Sequence, residues 1–192
     1  APDDVGERIL PDVLKRFAKT HPKIAVDVVI DMSTNLIKRL EERRLDITLL
    51  TCQTNQVPEG GEVLLTEQLV WAGARGGSAH LCSPIPVSMW EEGCAWRAGA
   101  VEELDARKIS YRIAYMSAHT AGQRAAIMSD LAVAPLPNSF VGDDMVVLGE
   151  ADGLPPIGTY SLGMIVRHDA EAPVCAAADH IRATFESLRE AG

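Results

Sequence analysis

Residues 10–50 pass through helix, strand, helix and strand signals with almost no spare residues between them, and few folds accommodate that order. Ile9, Leu10, Val13, Leu14, Phe17 and Ala18 form the apolar stripe of an amphipathic helix, with Lys15, Arg16 and Lys19 on its polar side. His21-Pro22 ends that helix, because the residue before a proline is pushed out of the α region. In Ile24–Ile30, rich in β-branched residues, Ile24, Val26, Val28 and Ile30 share one face at the strand period of two. Ser33, Thr34 or Asn35 is placed to cap a second helix carrying Leu36, Ile37 and Leu40, and Leu45–Thr51 is an apolar run suited to a strand covered on both faces. Crossovers of this length imply a parallel sheet.

An α/β sheet of this kind should have a strand ahead of its first helix, yet the chain opens at Ala1-Pro-Asp-Asp. The strand is therefore missing or lies upstream, and a fragment of a longer protein is expected. Asp4 and Glu7 resemble a capping box, and Pro11 inside the apolar stripe demands a kink or a restart.

Downstream, residues 53–61 read as a loop and 62–74 as a long or broken strand, with the sharpest composition break at 75–80. Strands are expected at 85–89, 111–115, 131–137, 145–148 and 160–166, and helices at 94–108, 118–129 (behind a Ser117 cap) and 172–189. Crossings near 72–76 and 157–162 divide this pattern into lobe I, residues 1–73 plus 160–192, and lobe II, residues 74–159. The expected fold class is α/β, with two Rossmann-like lobes and a cleft between them.

Composition narrows the function. A net charge of −9 over 192 residues argues against a grip on a phosphate backbone, and the Lys38, Arg39, Arg43, Arg44 cluster is interrupted by Glu41 and Glu42. No apolar run approaches the roughly 20 residues that span a bilayer, and no signal peptide is evident, so a cytoplasmic location away from membranes is expected. Cys52, Cys82, Cys94 and Cys175 are scattered without zinc-ligand spacing and read as reduced thiols. Neither a metal nor a cofactor is expected. The chain has no G-x-S-x-G elbow, phosphate loop or dinucleotide fingerprint, and an enzyme is not expected.

Leu10-Pro-x-x-Leu-x-x-Phe-x-x-x-His21-Pro22, followed by Ser33-x-x-Leu36-x-x-x-Leu40 and Leu45-Asp46-Ile47, resembles the effector-binding domain of LysR-type transcriptional regulators. Ala132–Pro137 resembles a Gly-rich strand of the same family. Departures are Arg43-Arg44, where the family usually has Gly, and Ser129-Asp130 in place of an Ala-Gly pair. The resemblance implies a type 2 periplasmic-binding-protein-like fold, a small-molecule effector, and a homodimer, or a tetramer in the full-length protein. It also implies DNA binding only through an N-terminal winged helix-turn-helix absent from this chain. A solute-binding protein of a transport system is the alternative on the same fold.

Ligands of α/β units bind at strand C-terminal ends, where helix N-termini present free N–H groups. Three stretches qualify: 31–35, 93–97 and 115–120. Hydroxyls and amides there favour a carboxylate or another small anion. The resemblance places effector contacts on Ser33 and Thr34, and also on Thr51 and Ser117. Trp96 and Arg97 are candidates for the pocket, or for core and ion-pair roles. Asp3 is a candidate wall residue favouring an amine or hydroxyl instead. Cys94, at a helix start with Arg97 one turn on, has the context of a lowered thiol pKa. It resembles the peroxide-sensing branch of the family, but no resolving cysteine follows between Ala95 and Ala114.

Overall fold

The computed structural model describes residues 1–191; Gly192, the last residue of the expected lobe I, lies outside them. The chain divides into two compact units, one made of residues 1–66 with the segment from Ser161 onward, the other of Glu67–Tyr160.

In the first unit the opening helical stretch is broken in two, α1 (Asp3–Arg8) and α2 (Leu10–Thr20), with Pro11 in the first turn of α2. There its missing N–H costs nothing and its fixed φ suits the restart. Leu10, Val13 and Phe17 bury the expected stripe. The Asp4–Glu7 capping box does not form: Pro2 is the N-cap, no side chain caps α1, and Asp4 is buried within the helix. α3 (Ser33–Glu41) packs on β1 (Ile47–Gln53), and α6 (Ala172–Ala191) packs on α2. β1 lies at the end of the strand order β1-β7-β2, where β2 is Gly61–Ala74, unbroken, and β7 is Gly158–Val166.

The expected strand at Ile24–Ile30 is not part of any ladder. A β-strand is defined by its neighbour as much as by its own residues, and among the described residues 25–30 have one backbone hydrogen bond, accepted by Val29 from the Ala1 amine at 2.7 Å.

In the second unit, the later part of β2 pairs antiparallel with β5 (Ala134–Pro137) and β6 (Met145–Leu148). β3 (Ile85–Met89) pairs parallel with β4 (Tyr111–Met116), so the pairing is mixed rather than wholly parallel. α4 (Ala95–Ala106) and α5 (Thr120–Met128) cover this unit, whose core gathers Trp71, Val87, Met89, Ala100, Leu104, Val133 and Leu154. Burial of so many large apolar side chains is the main stabilising term here.

Candidate functional site

In the first unit, Ser33 and Thr51 come together although they are 18 residues apart. The Ser33 Oγ accepts the Thr51 backbone N–H at 3.0 Å, and the two hydroxyls lie 3.1 Å apart. This pair pins the start of α3 to β1. Ser33 is therefore not the helix N-cap; Met32 is, with extended φ and ψ. No side chain caps α3, and the turn ahead of it is ordered by Asp31, which the sequence alone does not single out. Its Oδ1 accepts the Met32 N–H at 2.9 Å and the Asn35 side-chain amide at 2.7 Å, while Oδ2 lies 3.3 Å from Arg39. The Asn35 bond, then the Met32 amide and the Arg39 charge, hold this carboxyl below its ordinary range despite partial desolvation. Thr34 is exposed on the first turn of α3, and Asp3 is half-buried on the first turn of α1.

In the second unit, Cys94 is the N-cap of α4 and Trp96 lies one residue into the helix, 2% exposed. The Trp96 ring meets Trp90 edge-on at 4.8 Å, Tyr160 at 5.2 Å and Phe140 at 6.4 Å between centroids. Its indole N–H has no hydrogen-bond partner among the described residues. A buried donor left in that state costs about 1–3 kcal/mol. Arg97 donates from Nη1 to the Trp90 carbonyl at 2.9 Å and lies 3.8 Å from the exposed Glu92 carboxylate. That contact to the main chain ties the first turn of α4 to the end of β3.

Ser117 is not the cap of α5, since His119 holds that place. The Ser117 hydroxyl instead accepts the His119 N–H at 3.1 Å, closing a turn ahead of the helix. Gln123, fully buried on α5, holds the turn from beneath: its side-chain amide donates to the Ser117 carbonyl at 2.8 Å and to the Met89 carbonyl at 2.9 Å. A lone glutamine on an apolar helix face was the available sign of that role. None of the four cysteines is in a disulfide, and the described residues contain no group of three or more side chains that could hold a metal ion.

The LysR substrate-binding domain model matches residues 1–190. The chain belongs to that family. It is a LysR-type effector-binding domain, of mixed α/β architecture with the type 2 periplasmic-binding-like fold. It is 29% identical to the HTH-type transcriptional regulator DgdR of Burkholderia cepacia, covering 97% of this chain and 63% of that one. It is 27% identical to the HTH-type transcriptional regulator PecT of Dickeya dadantii (strain 3937), over 89% of this chain and 54% of the relative. The LysR domain thus spans little more than half the length of these curated relatives. Among solved structures, the regulatory domain of Synechocystis PCC6803 CcmR in complex with 2-PG superposes with a TM-score of 0.76 at 15% identity, covering 97% of this chain and 95% of that one. These relatives are regulators, and they lend no support to the transport alternative. No described helix is long and apolar enough to cross a membrane.

Proposed function

We propose that this LysR-type domain senses a small carboxylate or comparable anion and passes the binding event to a DNA-binding part of a longer cytoplasmic regulator, without turning the ligand over. The observation that carries the ligand class is the Trp96 indole N–H, a buried donor without a partner on the first turn of a 12-residue helix. A buried donor of that kind, on a side chain carried by the first turn of a helix, favours an acceptor with negative charge. Candidate contacts within the second unit are Trp96, Arg97, Cys94 and Ser117; those within the first, taken by itself, are the Ser33–Thr51 pair, Thr34 and Asp3. 2-PG bound to the CcmR regulatory domain supports a small-molecule ligand for this relative of it.

We further propose a homodimer, or a tetramer in the longer protein. Val26, Val28 and Ile30 in the first unit and Ile113, Tyr115 and Met116 in the second are each more than one-third exposed, which supports burial against another copy.

The test is thermal unfolding of the chain against a panel of small carboxylates, amines and neutral analogues, with indole fluorescence read in parallel. A carboxylate present at 100 times its Kd stabilises the folded domain by about 2.7 kcal/mol. Trp96→Phe, which keeps the ring packing, weakens that ligand by about tenfold. Stabilisation by amines alone, or an unchanged affinity in Trp96→Phe, overturns the anion reading.

A further inference from the structure

The buried Trp96 indole N–H has no hydrogen bond to fix it, so packing alone sets the direction of that donor. Three rings supply the packing: Trp90 at 4.8 Å, Tyr160 at 5.2 Å and Phe140 at 6.4 Å between centroids, all within the second unit. Each of the three is tied down in turn. Trp90 donates its own indole N–H to the Pro135 carbonyl at 3.1 Å. The other two are held through one residue that neither motif nor periodicity marks, Glu67.

Glu67 lies half-buried on β2, which runs between β7 and β5 in the strand order, and each of its carboxylate oxygens serves one neighbour. Oε2 accepts the Tyr160 hydroxyl of β7 at 3.0 Å. Oε1 accepts the Ser139 backbone N–H at 2.8 Å, just beyond β5 and one residue before Phe140. The strand register accounts for this second bond. Leu69 faces Pro137 where β2 pairs antiparallel with β5, and two residues further on Glu67 comes opposite Ser139. Pro137 has no N–H to extend the ladder, and beyond it the Glu67 side chain takes the place of a main-chain acceptor.

We propose that Glu67 is a positioning residue of the ligand site in the second unit: without touching the ligand, it holds Tyr160 and Phe140 against Trp96 and so aims the indole N–H. The inference rests on the reading of Trp96 as a ligand donor. A carboxylate suits this post because it accepts at two oxygens at once, and bonds to a charged acceptor are the stronger kind. Its role is geometric. Gln at the same place can accept the Ser139 N–H through its carbonyl and donate its amide to the Tyr160 oxygen, whereas Leu fills a similar volume and makes neither bond.

The experiment records the indole N–H signals of the isotope-labelled chain by NMR, with the Trp96 signal assigned through Trp96→Phe. Trp71, whose indole donates to the Pro155 carbonyl at 3.0 Å, is the internal reference for an intact unit. Glu67→Leu is expected to move the Trp96 signal while that of Trp71 stays in place, and Glu67→Gln is expected to hold the parent position. Tyr160→Phe keeps the ring and breaks one of the two bonds, so it gives a smaller move and serves in place of Glu67→Leu should that variant fail to fold. Titration with acetate, the probe anion, is followed at the same signal. Its midpoint is expected to rise about tenfold in Glu67→Leu and to stay within about twofold of the parent in Glu67→Gln. A Trp96 signal unmoved by Glu67→Leu and Tyr160→Phe, or moved as far by Glu67→Gln, overturns the positioning role. So does an acetate midpoint equal in the parent and Glu67→Leu. No acetate response in the parent overturns instead the reading of Trp96 as a ligand donor, and the two failures are told apart.

Discussion

Asp4 is a carboxyl that folding has moved out of water. It is 6% exposed, and burial raises its pKa to about 7 against amide hydrogen bonds from Val5 and from its own backbone that oppose the shift. The folded value lies above the unfolded 3.8, so between these values the native state holds a proton that the unfolded chain has released. Stability therefore falls as pH rises from about 4 to about 7, by an amount on the order of a few kcal/mol. The Ala1 amine acts in the opposite sense in the next window: its folded value of about 6 lies below the unfolded 8.0, so stability recovers as pH rises from 6 to 8. Asp4→Asn keeps an acceptor for the two amides and removes the ionisation. Urea midpoints measured at pH 4, 5.5 and 7 are expected to decline for the parent chain, mostly between pH 4 and 5.5, whereas Asp4→Asn loses that decline and rises between pH 5.5 and 7 as the Ala1 amine requires. An equal decline in both would show that another group carries the slope.

At the scale of elements, those whose signal is local emerge at nearly the expected limits. The stripe Leu10, Val13, Phe17 makes α2, the β-branched and aromatic run at 111–116 makes β4, and Pro11 restarts the helix as its missing N–H requires. What was illegible depends on a distant partner. Ile24–Ile30 has every local mark of a strand but is not in a ladder, because pairing is a property of two segments. Ser33 looks like a cap from its neighbours alone, and only the fold brings it to Thr51. Likewise, the orphaned Trp96 N–H is a fact about its surroundings, not its spacing. Arg43 and Asp130, which stand where the family usually has Gly or an Ala-Gly pair, were legible as departures, and both adopt positive φ, 57° and 50°. The Ser33–Thr51 contact is open to a double-mutant cycle. Ser33→Ala removes the acceptor of a half-buried amide and is expected to destabilise by about 1–2 kcal/mol. Thr51→Val keeps the amide but loses the hydroxyl contact, and the pair is expected to be sub-additive because one hydroxyl serves both bonds. Additive losses in chemical denaturation would show that Ser33 and Thr51 act separately.

At the scale of the whole molecule, charge decides what this LysR domain does alone. The net charge is −9, with 18 Lys and Arg against 27 Asp and Glu, and many of the arginines are already engaged. Arg167 pairs with Asp46, Arg182 with Glu62 and Asp179, and Arg107 with Glu103 and Glu150. Exposed pairs of this kind add little to stability, but they do remove cations from any surface that would face a polyanion. Binding to duplex DNA depends on neutralising phosphates with clustered Lys and Arg and releasing their counterions. The chain is therefore expected to leave the mobility of a labelled duplex unchanged even at about 50 mM salt, where non-specific electrostatic binding is strong. Adding the carboxylate that stabilises the domain should not alter that result, because the ligand brings further negative charge. A salt-sensitive shift by the 192-residue chain would contradict the division of labour proposed for the longer regulator, and would place a phosphate-binding surface on this domain itself.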